Sequence, residues 1–163
     1  MEIRVIDFEI ITRSFQPYVE GYKEIESERR SMLNSVEDDK KEMEAIIRRS
    51  QSGIMMDENS QKRDGERFRQ IQEKLMKLDV EFKTKIKNMN DELNSKVFDE
   101  LSVIVSEWAT ANSIDLATGK MEVIFSSERI EVTNQIIEAI KAKGLFYEEP
   151  KMVEEPVQEG PSI

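Results

Sequence analysis

The run Asp57-Glu58-Asn59-Ser60-Gln61 has the oxygen-bearing side chains with which a calcium-binding loop begins. Lys62 then stands where such a loop turns sharply on glycine, and Phe68 where it closes with a bidentate glutamate. No calcium site is expected. Glutamates repeat along the chain at spacings that would suit acid/base pairs, but no pocket-forming motif accompanies them, and they read as solvated helix faces. The chain contains no histidine and no cysteine. That excludes Ser-His-Asp and Cys-His nucleophiles, zinc sites of the usual ligand types and helical Glu-x-x-His metal pairs. No catalytic residue, metal or cofactor is expected, and the chain reads as a non-enzyme.

The remaining chemistry is that of contact. Nine methionines are present, and flexible thioethers suit adaptable apolar contacts. Met32, Met43 and Met89 fall at positions where helix packing would use them. Met76 also lies on a helix. Met55 and Met56 are adjacent in a polar stretch, where burying both is difficult, so they are candidates for contact with another chain. Arg48, Arg49, Lys62, Arg63, Arg67 and Arg69 form a basic cluster if the chain folds back on itself near residues 50–65. Asp57, Glu58, Asp64 and Glu66 dilute it, and a solvated helix surface is its plainer meaning.

Long helices must position these groups. From Tyr18 the residues Tyr18, Tyr22, Ile25, Arg29, Met32, Val36, Asp39, Met43 and Ile46 step by four and three, as a coiled-coil seam does. Glu26–Arg30, Glu37–Lys41 and Glu44–Arg48 supply i,i+4 pairs in the favourable order. Ser50 to Gly65 reads as the tip of a hairpin. A second seam runs through Phe68, Ile71, Leu75, Leu78 and Phe82, and continues after a phase shift with Ile86, Met89, Leu93 and Val97. Glu73–Lys77, Asp79–Lys83 and Glu81–Lys85 support it. No proline interrupts residues 62–112, so one helix of about fifty residues is expected, roughly 75 Å long. It becomes apolar on several faces at Leu101, Val103, Ile104, Val105 and Trp108, where it should enter a more buried head.

Strand-like segments flank this helical pair. Residues 2–11, EIRVIDFEII, carry β-branched and aromatic types. Residues 114–117 and Met121–Phe125, around Thr118-Gly119-Lys120, read as a β-hairpin. A last helix carries Val132, Ile136, Ile137 and Ile140 on one face and stops at Gly144. Residues 148–163 hold five glutamates against one lysine and three prolines, and read as a disordered acidic tail. The expected division is a β-rich head over 1–17 and 98–147, a coiled-coil tentacle over 18–97, and the tail over 148–163.

Composition agrees with this shape. Hydrophobic residues are 38% and charged residues 36%, too polar for one compact globule but suited to helices with a narrow apolar seam. A net charge of −10 disfavours nucleic acid and anionic membranes as general partners. No run approaches the eighteen or so apolar residues of a membrane-spanning helix, so no stable insertion is expected, only transient contact at the tip. Met1-Glu2-Ile3-Arg4 lacks the basic and then apolar run of a secretory signal. The expected location is cytoplasmic for the chain as written, or periplasmic for a processed form.

The opening IRVIDFEII and the closing WATANSIDLATGKMEVIFSSERIEVTNQIIEAI, with ANSIDL and VTNQIIEAI as its clearest parts, resemble the Skp/OmpH-like periplasmic chaperones. The order of elements is similar over about residues 2–144. The resemblance implies an α+β, mostly helical fold: a long antiparallel coiled-coil hairpin on a small β-rich trimerisation head, three copies making a jellyfish-like homotrimer. It implies an ATP-independent holdase for unfolded proteins, outer-membrane proteins above all. Val5, Ile6, Phe8, Val123, Ile124 and Phe125 would sit in the body strands that join subunits. Client-binding candidates are Met55, Met56, Met32, Met43, Met76, Arg48, Arg49, Arg63 and Arg67. Members of the family enter the periplasm with a signal peptide, and several are basic where this chain is acidic. The competing expectation is a dedicated coiled-coil structural or assembly protein, for example phage-encoded, with one fixed partner. A prefoldin-like holdase ranks lower, since its strands lie at the hairpin turn.

Overall fold

The computed structural model describes residues 1–150, and most of the acidic tail expected over 148–163 lies outside them. The chain is mostly helical, with a long helical hairpin and a small strand region. Strand β1 (Ile3–Ile6) leads through Asp7 into helix α1 (Phe8–Arg13). The Asp7 carboxylate accepts the N–H groups of Glu9 (3.1 Å) and Ile10 (3.2 Å), filling two of the orphan donors of a helix start. This cap ends the strand early. The expectation of a strand over residues 2–11 is thereby corrected, and Phe8 lies in a helix.

Pro17 stands in the first turn of α2 (Gln16–Ser35), where its missing N–H costs nothing. Helix α3 (Glu37–Gln51) continues the same arm after a break at Val36. Residues 52–57 form the turn. Helix α4 (Glu58–Ala111) returns without interruption for 54 residues, roughly 80 Å. The tip is therefore shorter than residues 50–65 suggested, because Asp57 caps α4 by accepting the Ser60 N–H at 2.7 Å. Ser113, at φ 54°, takes the left-handed conformation just past the end of α4.

The strand region departs from the hairpin expected at 114–125. Strand β2 (Leu116–Gly119) pairs in parallel with β1, Ile3 opposite Leu116 and Ile6 opposite Gly119. On its other side β1 is bridged by Glu131, with the Val132 N–H donating to the Val5 carbonyl at 3.0 Å. β1 is thus the centre of the region and β2 an edge. A 3₁₀ turn at Lys120–Glu122 carries the chain away after β2, so Val123, Ile124 and Phe125 do not form the returning strand that their composition suggested. β2 pairs with the distant β1 instead of with the segment that follows it, because the 3₁₀ turn at Lys120–Glu122 does not reverse the chain onto β2.

Helix α5 (Thr133–Ala142) ends at Lys143 with Gly144 at φ 70°, as its sequence implied. Its buried residues Ile136 and Ile140 join Ile6, Ile11, Phe15, Val97, Leu101, Ile104, Val105 and Val132 in one core, with Trp108 packed at its margin. Leu145–Tyr147 then returns to the base of α2: Gln16 N–H donates to the Leu145 carbonyl and Tyr147 N–H to the Ser14 carbonyl, both at 2.8 Å. The hairpin is thus rooted in a core built from both ends of the chain.

Candidate functional site

Many of the exposed large apolar side chains lie on the hairpin and on the segment after β2. On the returning arm every seam position from the sequence is turned inward: Phe68, Ile71, Leu75, Leu78, Phe82, Ile86, Met89, Leu93 and Val97 are buried or half-buried. On the outgoing arm Ile25, Met32, Val36 and Ile46 are buried. In its first turns the expected seam is kept at Ile25 and Met32 and displaced by one residue at the two alternate positions. Gly21 and Glu28 are half-buried against α4, while Tyr22 and Arg29 are exposed. The cause is volume. A Cβ on Gly21 would lie 2.3 Å from a methyl of Leu93, so glycine alone permits this approach of the two helices. Tyr22 instead stacks outside on Tyr18, ring centroids 6.2 Å apart.

Charge pairs tie the arms across the seam. Lys85 bonds Glu28 on the facing helix rather than its own-helix neighbour Glu81. Further out, Lys74 bonds Asp39 at 2.6 Å. Arg67 grips Glu42 with two bonds of 2.7 and 2.9 Å, and Arg49 grips Asp64 with two of 2.9 Å. The hydrogen bonds from Arg67 and Arg49 hold the carboxyls of Glu42 and Asp64 below their ordinary range, and the same bonds raise both guanidiniums. Ser60 does likewise to Asp57 at the cap. Of the helical pairs read from sequence, Glu37–Lys41 (3.7 Å), Glu44–Arg48 (3.9 Å) and Asp79–Lys83 (2.7 Å) form. Glu26 pairs with Arg29 at 3.3 Å rather than with Arg30.

Near the tip the arms leave an open cleft of about 400 Å³. Ile46, Ile47, Ile54, Met56 and Phe68 give it an apolar lining, and the Arg49–Asp64 pair lies at its edge. Met55 beside it is 98% exposed. The contact candidates therefore separate. Met32 is buried in the seam, Met43 is half-buried, Met56 lines the cleft, and Met55 and Met76 are exposed. Arg49 and Arg67 spend their charge on carboxylates across the hairpin, whereas Arg48 and Arg63 make local contacts, with Glu44 and with the Ser60 hydroxyl. The expected basic cluster is thus largely neutralised where the arms meet.

Sequence reasoning missed Ile47 and Ile54 at the cleft. Neither falls on the heptad seam, and apolar residues off the seam were the signal. The same signal marks Leu33 and Val80 on the stalk and Phe98 and Met121 at its base, all more than half exposed. In the strand region Val5 and Ile6 are buried in the chain's own core, while Ile124 and Phe125 project with almost no cover. No helix among the described residues is long and apolar enough to cross a membrane.

No curated protein matches the chain. A family model described as outer membrane protein (OmpH-like) matches residues 2–140, which takes in both halves of the head core and the whole hairpin between them. With that span, the chain belongs to the Skp/OmpH family of non-enzymatic, chaperone-type proteins.

Proposed function

We propose that the protein is an ATP-independent holdase, a homotrimer that encloses unfolded outer-membrane-type proteins between its hairpins and keeps them from aggregating. In this reading residues 1–17 and 98–147 act as the head, and 18–97 act as a tentacle. The observation that carries it is the pairing of a long rooted hairpin with apolar side chains left exposed in and after an edge strand. β2 pairs on one side with β1, and among the described residues its other edge has no strand partner. In β2 and the segment that follows it Leu116, Met121, Ile124 and Phe125 are exposed, Ile124 fully. An open edge followed along the chain by exposed apolar side chains is an association site or an aggregation hazard, and pairing between copies removes both. Association of three heads sets three hairpins around one space. Weak contacts with clients then gain from enclosure, which raises the effective concentration of client against wall. The outer-membrane clients and their periplasmic location come with the family.

The experiment dilutes unfolded porin and an unrelated soluble protein from urea, without ATP, with the protein at a known trimer ratio. Suppression of both aggregations near one trimer per client is the expected result. Porin alone would narrow the reading to outer-membrane clients. Suppression of neither would replace it with a dedicated assembly protein. Light scattering on the Ile124→Glu/Phe125→Ser variant tests the trimer: a loss of mass with the helical signal kept is expected, and an unchanged mass would remove this segment from the interface.

A further inference from the structure

The outgoing arm is broken where the returning arm is not. Between Tyr22 and Ser52 the chain has neither proline nor glycine, yet α2 ends at Ser35 and α3 begins at Glu37. At the break the Val36 N–H reaches back to the Leu33 carbonyl at a stretched 3.4 Å. The Ser35 hydroxyl donates to the Met32 carbonyl at 2.7 Å, a competing bond that bends helices. The ion pairing between the arms also changes there. Between the break and the head, Ile25 and Met32 are buried against α4, and Glu28–Lys85 is the ion pair across the seam. Beyond the break come Asp39–Lys74, Glu42–Arg67 and Arg49–Asp64, with Ile46 and Ile71 as the buried apolar residues among those described.

We propose that α3 forms a flap on the unbroken α4, latched to it by these three ion pairs and jointed at Ser35–Val36, which opens while the inner hairpin stays closed. Exposed ion pairs contribute little each and are screened by salt, whereas apolar burial is not, so the outer arm yields first. Opening bares Met43, Ile46, Phe68 and Ile71 beside the cleft that already shows Ile47 and Ile54. A latched apolar seam of this kind enlarges the surface for an extended, apolar-rich client chain; that last step rests on the holdase reading.

Amide hydrogen exchange on the full chain tests the latch without any client. From about 0.05 to about 0.5 M salt, exchange in residues 37–51 should rise about fivefold to tenfold, with residues 18–33 and 133–142 little changed. Glu42→Arg, which sets Arg67 against a like charge, should reproduce this at low salt, and Glu42→Arg/Arg67→Glu should restore slow exchange. Exchange in 37–51 that ignores both salt and the substitution overturns the latch. Equal acceleration of 18–33 overturns the joint. Binding of unfolded porin to Glu42→Arg then tests the use of the seam. Affinity higher by several-fold supports it; an open flap with unchanged affinity refutes the client role of the seam while the latch stands.

Discussion

Replacing Gly21 by alanine sets two well-measured effects against each other. Gly21 is inside α2, and alanine in a helix interior is worth about 1 kcal/mol over glycine. The added methyl, however, would lie 2.3 Å from one Leu93 methyl, 3.2 Å from the other and 3.3 Å from Cγ. Leu93 is half-buried against the head core, so it must change rotamer or push the helices apart. Overpacking of this kind costs about 1–3 kcal/mol. Gly21→Ala should therefore destabilise by about 1 kcal/mol net, between zero and about 2. In a Leu93→Ala background the obstacle is gone, and the same substitution should stabilise by about 1 kcal/mol. The change of sign between backgrounds is the prediction, a coupling of about 2 kcal/mol. Urea unfolding followed by far-UV circular dichroism would measure it, at fixed protomer concentration because self-association of the proposed kind would shift apparent stability. An equal effect of Gly21→Ala in both backgrounds would refute the close approach and with it the displaced seam position.

Two further outcomes follow from the same structure. Phe15 is fully buried in the head core, and Phe15→Ala should cost about 3–5 kcal/mol, enough to lose the cooperative head transition in a thermal melt; a loss under 1 kcal/mol would show that the base of the hairpin is not anchored there. Acidification should weaken the outer hairpin, with a defined sign: Glu42 and Asp64 have carboxyls lowered by their arginines, so their contribution is present above the unfolded carboxylate range, about 4, and is lost as pH falls through their lowered values. Exchange in residues 37–51 should be no more protected at pH 7 than at pH 5 after correction for intrinsic rates, and should lose protection only near and below pH 4; loss beginning above pH 6 would contradict this.

The hairpin was legible because its signal is periodic and repeated. Ile71 through Val97 turn inward as their spacing implied, and a run of 54 residues without proline has few alternatives to one helix. Caps were less legible: Asp7 reads equally well as a polar residue in an imperfect strand, and only the two N–H groups it accepts show that a helix starts there. Which apolar residues are exposed was legible in part. Met55 is exposed as expected, because two adjacent methionines in polar surroundings are hard to bury, whereas for Ile47 and Ile54 the only mark was an apolar side chain off the seam.

The sequence by itself determined the absence of histidine and cysteine side chains, the two arms with the seam of the returning one, and the C-terminal helix with its glycine stop. These rest on residue types and local spacing, which no partner can alter. Tertiary structure decided the rest. β2 joins β1 in parallel once the chain has returned from a helix of roughly 80 Å, and residues 123–125, strand-like in composition, stay outside because the 3₁₀ turn after β2 leads them away from it. Gly21 rather than Tyr22 faces α4, because the space between two helices selects volume as well as polarity. Arg49 and Arg67, a basic cluster when read along the chain, are largely neutralised across it, since which carboxylates stand opposite depends on the register of one arm against the other.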